Sequence, residues 1–269
     1  MYFEKEEQIR KVITERIETF CENFRSRHLG QLDNPDGTLN SKIHNVFVAR
    51  LGEEILYYSA MVRSFDSSFG NLLEKLAIEV AEISYEVHKR VEGPLAVEQT
   101  SEIAVLLERY KRNEIKPSVS DYQGLRDIDI EGLEVTKRHE SDYYLIDKDR
   151  GTHHLIELKI GGDLDNKKAR SEKEALLEQY AILCNTLEDP ENVFIHFATA
   201  YNMFGENKPW NQGRVLQFFS PEELLIGRDF WNFVCKSDRG YEVVLDQYNI
   251  EANKVLNMLN EIKEAYLTK

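Results

Sequence analysis

The sequence predicts an α/β fold, and three features of its patterning carry that expectation. Apolar residues recur at three- and four-residue steps through most of the first 112 positions. β-Branched, aromatic and alternating residues then gather between Leu133 and Ile160. After that, helical and short apolar segments alternate to the C-terminus.

Glu4 to Arg27 reads as an amphipathic helix, with Ile9, Val12, Ile13, Ile17, Phe20 and Phe24 on one face. Gly30 to Gly37, with Asn34-Pro35-Asp36-Gly37 inside it, reads as a loop. A second helix is expected over about Ser41 to Arg63. Asp66-Ser67-Ser68 can cap a third, whose apolar face is Leu72, Leu73, Leu76, Val80 and Ile83. Ser101 to Arg112 is a fourth, stopping before Pro117. The pattern changes near Gly132: Leu133 to Arg138, Tyr143 to Asp147 and Thr152 to Ile160 read as strands. Ser171-Glu172-Lys173-Glu174 has the form of a capping box opening a helix that carries Leu176, Leu177, Tyr180 and Ile182 to about Asn185. Val193 to Thr199 and Arg214 to Phe219 read as strands. Ser220-Pro221-Glu222-Glu223 starts a short helix that Gly227 ends, and Asn249 to Leu267 is a final helix. With no repeat and no Pro/Gly-rich linker, a single domain over 1–269 is expected: a helical region 1–64, a core 65–234 and a C-terminal helix 235–269.

Composition removes several classes of function. At 42% hydrophobic and 30% charged residues the chain suits a globular protein, and its longest apolar runs are too short to span a bilayer. Met1 runs straight into Glu4 to Glu7 without an apolar signal segment, so a cytoplasmic location is expected. Cys21, Cys184 and Cys235 lie far apart, without the spacing of a disulfide scaffold or a thiolate zinc site. The net charge of −14 opposes nonspecific attachment to nucleic acid or anionic membrane. Locally the sign reverses: from Lys159 to Lys173 five cations (Lys159, Lys167, Lys168, Arg170, Lys173) face three acids (Asp163, Asp165, Glu172).

The chemistry concentrates in Asp142-Tyr-Tyr-Leu-Ile-Asp147, Lys-Asp-Arg-Gly151 and Thr152-His-His-Leu-Ile-Glu157-Leu-Lys159. If a turn centred on Asp149-Arg150 joins two strands, paired positions add to 299, and Asp142 lies directly opposite Glu157. Period-two alternation puts Lys159 on the same face and sends Ile156 and Leu158 into the packing. Alternatively, Gly151 takes a left-handed position in a three-residue loop, which slips the register by one and turns Asp142 to the other face. Two carboxylates and an ammonium on one face suit metal-assisted phosphodiester hydrolysis. Hard oxygen ligands hold Mg²⁺, the ion acidifies a bound water, and the ammonium complements charge on the phosphate. A surface hairpin with incidental charges would carry the same letters. Against it, charges inside the apolar run Leu155 to Ile160 are costly unless they coordinate or pair.

Asp142 … Glu157-Leu-Lys159 resembles the PD-(D/E)xK nuclease motif, with Ser141 where the superfamily name has Pro. The run Ile156 to Arg170, Glu174 to Tyr180, Ala198-Thr-Ala-Tyr-Asn202, Gly205 to Trp210 and Phe230-Trp-Asn-Phe233 resembles the TdeIII-like type II restriction endonucleases, over roughly Phe65 to Val234. The resemblance implies a restriction-endonuclease-like central mixed β-sheet flanked by helices, with a helical N-terminal region. It also implies Asp142, Glu157 and the Leu158 carbonyl as Mg²⁺ ligands, Lys159 as the catalytic lysine, and a helical glutamate, Glu74 before Glu79. Lys167, Lys168, Arg170 and Lys173 follow the catalytic strand closely enough to reach flanking phosphates, and Lys208, Trp210 and Arg214 lie in a polar, Gly-containing loop able to reach base edges, Arg being the usual bidentate reader of guanine. An ordinary solvated helix start and loop would look alike. His153 and His154, being adjacent on a strand, face opposite ways and read as structural. The Phe230-Trp231-Phe233 rings read as core. The resulting expectation is a homodimer that cuts double-stranded DNA at a short palindrome such as GGNCC, with a cognate DNA methyltransferase as functional partner and no membrane role. Another type of nuclease, or a non-catalytic DNA-binding module, is the rival expectation.

Overall fold

In the computed structural model the periodicity resolves, in chain order, into α1 (Tyr2–Gly30), α2 (Val46–Ala49), α3 (Glu53–Glu82), β1 (Glu86–Ala96), α4 (Val97–Lys111) and α5 (Ser120–Gln123). Next come β2 (Glu134–Asp147), β3 (Thr152–Leu158), α6 (Asn166–Thr186), β4 (Val193–Thr199), α7 (Gly213–Leu216), β5 (Leu224–Ile226), α8 (Arg228–Val234) and α9 (Gly240–Leu267). The structure describes residues 2–128, 134–161 and 164–268, with backbone alone for Tyr2, Glu134, Glu140, Ser141, Asp142 and Asn166. Gly132, Leu133 and Asp163, used in the sequence reading, lie outside the described residues.

The chain forms two compact units, a helical one from 1–80 with 242–269 and an α/β one from 81–241. In the helical unit, Ile9, Ile13, Ile17, Phe20 and Phe24 form the buried face of α1. The break expected at Asp66 does not occur. Phe65 and Phe69 stack at 5.2 Å and meet Phe20 edge-on, so ring contacts on either side of the capping residues hold the helix through them. The expected boundary between residues 64 and 65 therefore falls inside α3.

Among the described residues the α/β unit is built on a five-stranded sheet of order β1-β2-β3-β4-β5. The first two pairings are antiparallel, and β3–β4 and β4–β5 are parallel, so α6 is the crossover between β3 and β4. This is the mixed sheet with flanking helices of a restriction-endonuclease-like fold. On one face Tyr144, Leu155, Ile195 and Phe197 pack with Leu176, Leu177 and Tyr180 of α6. On the other, His154 and His196 lie against Phe233, and Tyr143 meets Phe230 edge-on.

Several local readings change here: the two strands expected over Leu133 to Asp147 are the single β2, and the segment expected as a short helix up to Gly227 holds β5. β1 was not anticipated, because its His88-Lys89-Arg90 run hides the alternation of an edge strand. Arg214 to Phe219 is not a strand but begins as the helical turn α7, with Gln212 Oε1 accepting from the Arg214 amide at 3.0 Å. The cap of α6 is Asp165, whose Oδ1 accepts from the Lys168 amide at 2.8 Å, rather than Ser171. Burial of Ala169 against the core extends the helix backwards past the box.

Candidate active site

The β2–β3 hairpin sets the geometry. Tyr143 pairs with Ile156, Tyr144 with Leu155 and Asp147 with Thr152, so the pairs of this register add to 299. Gly151 does adopt a left-handed φ of 64°. It does so in a four-residue connection, so the register does not slip. Asp147 closes the turn, its Oδ1 accepting from the amides of Asp149 (3.0 Å) and Arg150 (3.2 Å). The pairing of β2 with β3 ends at Tyr143 opposite Ile156, and against β1 the register of β2 shifts between His88 and Arg90, so the expected opposition of Asp142 and Glu157 lies one step beyond the paired residues; the Asp142 side chain lies outside the described residues.

Glu157 aligns with Phe197 on β4, and paired positions share a face, so its carboxylate is on the α6 side of the sheet. The side chain is only 12% exposed and receives the ammonium of Lys159, itself 32% exposed. Past Leu158 the chain stays tied to β4: the Lys159 amide donates to Ala198 O at 2.9 Å, and the Ala200 amide to Ile160 O at 3.2 Å. Lys159 has a second carboxylate, Glu172 of α6, at 3.1 Å. A lysine between two half-buried carboxylates is thus the described centre of the site, and α6 supplies one of them. Just beyond, Gly161 leaves room for the Tyr201 ring, since a Cβ there would lie 2.6 Å from the Tyr201 hydroxyl.

Glu172 was missed by the sequence reading. As a member of a supposed capping box it looked like a helix-start residue. With Asp165 as the cap it sits almost two turns inside α6, where a side chain can look back at the sheet.

The other expected residues divide between surface and core. Lys167 and Lys168 are exposed on the first turn of α6, and Arg170 pairs with Glu174 at 3.3 Å. Lys173 is a correction: it is 0% exposed, bonded to Glu223 and placed over the Tyr122 and Phe219 rings at 4.7 and 4.9 Å. Burial pushes its pKa down, with the Glu223 carboxylate opposing. A lysine so enclosed does not meet phosphates. Trp210 is partly buried, its ring packed against the core and edge-on to Phe204 at 5.5 Å. Lys208 is exposed; Arg214 is exposed and donates to Leu164 O at 3.4 Å. Glu74 and Glu79 lie on α3 in the helical unit, where Glu79 accepts from Arg16 Nε at 2.9 Å.

His153 and His154 do face apart. His153 Nδ1 meets the Tyr144 hydroxyl at 2.7 Å, whereas His154 meets His196 at 3.1 Å on the opposite face. Among the described residues no three His, Cys, Asp or Glu side chains cluster as a metal cage. The donor chemistry at Glu157 nonetheless fits a hard cation. It is a carboxylate on a strand beside the Leu158 carbonyl, in surroundings that already accept positive charge from Lys159.

Comparison with protein families decides the matter: the model described as "Type II restriction endonuclease, HinfI" matches residues 5–250. The chain belongs to the HinfI family of type II restriction endonucleases. Comparison with curated proteins and with solved structures gave no match. As a HinfI-family restriction endonuclease the chain binds and hydrolyses double-stranded DNA. Its resemblance to the TdeIII-like enzymes holds at the level of type II restriction endonucleases rather than of that subgroup. No helix among the described residues is long and apolar enough to cross a membrane.

Proposed function

We propose that this HinfI-family enzyme is a Mg²⁺-dependent PD-(D/E)xK endonuclease that cuts both strands of DNA at a short palindrome. The observation that supports this most strongly is the pairing of Glu157 with Lys159 at the end of β3, beside a hairpin in which the 299 register runs. Asp142, Glu157 and the Leu158 carbonyl would hold the ion. When bound, Mg²⁺ supplies Lewis-acid stabilisation of the phosphate and a more acidic water. Lys159, as an ammonium, donates toward the phosphate and its attacking water and complements the charge that builds there. Glu172 keeps that ammonium in place from the side of α6. Lys167, Lys168, Lys208 and Arg214 contact phosphates near the cut.

A palindromic site is most simply read by a two-fold protein, so the enzyme acts as a homodimer, beside a methyltransferase that protects host DNA. The GGNCC sequence rests on the TdeIII-like resemblance alone and gains no support from the family match.

The test is digestion of an unmethylated plasmid with Mg²⁺ and sequencing of the ends. Discrete fragments with one repeated end sequence are expected, and EDTA stops the reaction. Lys159→Ala should lose cleavage while keeping its fold and its duplex binding. Full activity of Lys159→Ala, or undiminished cutting in EDTA, overturns the mechanism. A smear in place of bands favours a repair-type or structure-specific nuclease.

A further inference from the structure

Within the α/β unit a cleft of about 1130 Å³ opens between the segment after α4 and the segment around α7. Its eleven lining residues include Lys116 and Arg214, and none is a carboxylate. Because 48 of the chain's 269 residues are acidic, a cleft of this size would ordinarily hold about two. Neither cation has a carboxylate within ion-pair distance among the described residues, and Lys116 is exposed. Two cations without ion-pair partners, in an acid-free recess of a chain of charge −14, mark a seat for an anion.

Two polar amides of the cleft, Gln212 and Gln217, are engaged in building it. Gln217 Nε2 donates to Lys111 O at 3.0 Å and Gln212 Oε1 accepts from the Arg214 amide, so they fix the walls and leave the charges to meet the ligand. The cleft is also tied to the catalytic strand. Arg214 Nη1 donates to Leu164 O, five residues beyond Lys159. The charge of Arg214 reaches Asp165, whose pKa is held low first by the Lys168 amide and also by that charge. The anion seat and the exit of the catalytic strand therefore share one loop.

We propose that this cleft seats the DNA phosphodiester backbone beside the cut, with Lys116 as a phosphate contact alongside Arg214. The inference rests on the DNA-cleaving reading and adds to it the wall after α4.

The test is binding of duplex DNA to the full-length enzyme in EDTA across a series of KCl concentrations. Each phosphate contact contributes about 0.9 to the slope of log K against log salt. Lys116→Gln and Arg214→Gln should each flatten the slope by about that amount and weaken cognate and random duplexes alike, with an unchanged melting temperature for Lys116→Gln. Lys11→Gln, in the helical unit, should leave it unchanged. An unaltered slope in Lys116→Gln overturns the proposal while wild-type cleavage still upholds the nuclease reading. Loss confined to the cognate sequence also overturns it, because that would be base recognition. If wild-type protein neither cuts DNA nor binds it in a salt-dependent way, the nuclease reading fails first.

Discussion

Replacing Lys173 by Met separates a structural lysine from a DNA-binding one. Its ammonium and the Glu223 carboxylate are 0% and 1% exposed, and both sit among rings. Glu223 also accepts from the Tyr122 hydroxyl at 2.9 Å and from the Ser220 amide at 2.8 Å. Taking away the cation leaves a buried carboxylate with these two donors and no counter-ion, a loss of roughly 3–5 kcal/mol. For a unit of this size that is a fall in melting temperature on the order of 6–20 °C. Both tryptophans, Trp210 and Trp231, lie in the α/β unit, so their fluorescence follows the unfolding that matters. The double variant Lys173→Met/Glu223→Gln keeps the acceptor and removes the stranded charge, and should recover more than half of the loss. Its salt slope for DNA should equal that of wild type. A cost under about 1 kcal/mol for Lys173→Met, or a slope flattened as for a phosphate contact, would refute the argument.

Glu172→Gln removes one charge-assisted bond to Lys159, worth about 1.5–3 kcal/mol, and should lower kcat by roughly 10- to 100-fold. KM for duplex DNA should stay put, and a rise in KM at constant kcat would assign Glu172 to binding instead. His154 and His196 carry pKa values lowered to about 4 and about 3, chiefly by burial. The folded state keeps them neutral while the unfolded chain protonates near 6.5, so their contribution is intact above that pH and is lost as pH falls toward the folded values. Urea midpoints at pH 7 and pH 5 should differ by on the order of 1–2 kcal/mol per imidazole, and His154→Gln/His196→Gln should narrow the gap.

The hairpin was legible because its information is local. The turn residues and the alternation on either side give the hairpin but left two registers open, and the four-residue connection closed by Asp147 selects the one whose pairs add to 299. The partners of Lys159 and Lys173 were not legible in the same way. Each depends on where a helix starts and how it is rotated, and α6 is rotated by contacts with β1, β3 and β4 that lie outside its own sequence. Glu172 and Lys173 are adjacent, yet the first reaches Lys159 and the second is buried against Glu223, fifty positions away. From charge alone the segment read as a basic patch. Three of its five cations, Lys159, Arg170 and Lys173, are instead held by carboxylates.

The opposition of Asp142 and Glu157 can be tested without relying on activity. Directly opposite positions in an antiparallel pair bring Cβ atoms to about 4.5–5.5 Å, within reach of a disulfide after small adjustment. A slip of one residue turns position 142 to the other face, where no adjustment joins them. With Cys21, Cys184 and Cys235 replaced by Ser or Ala, Asp142→Cys/Glu157→Cys should oxidise to an intramolecular disulfide, seen as a loss of two mass units and one cross-linked peptide. Asp142→Cys paired with Ile156→Cys, one residue out of register, should remain reduced under the same conditions. If the second pair closes and the first does not, the carboxylates lie on different faces. Glu157 and Lys159 would then have to work without Asp142.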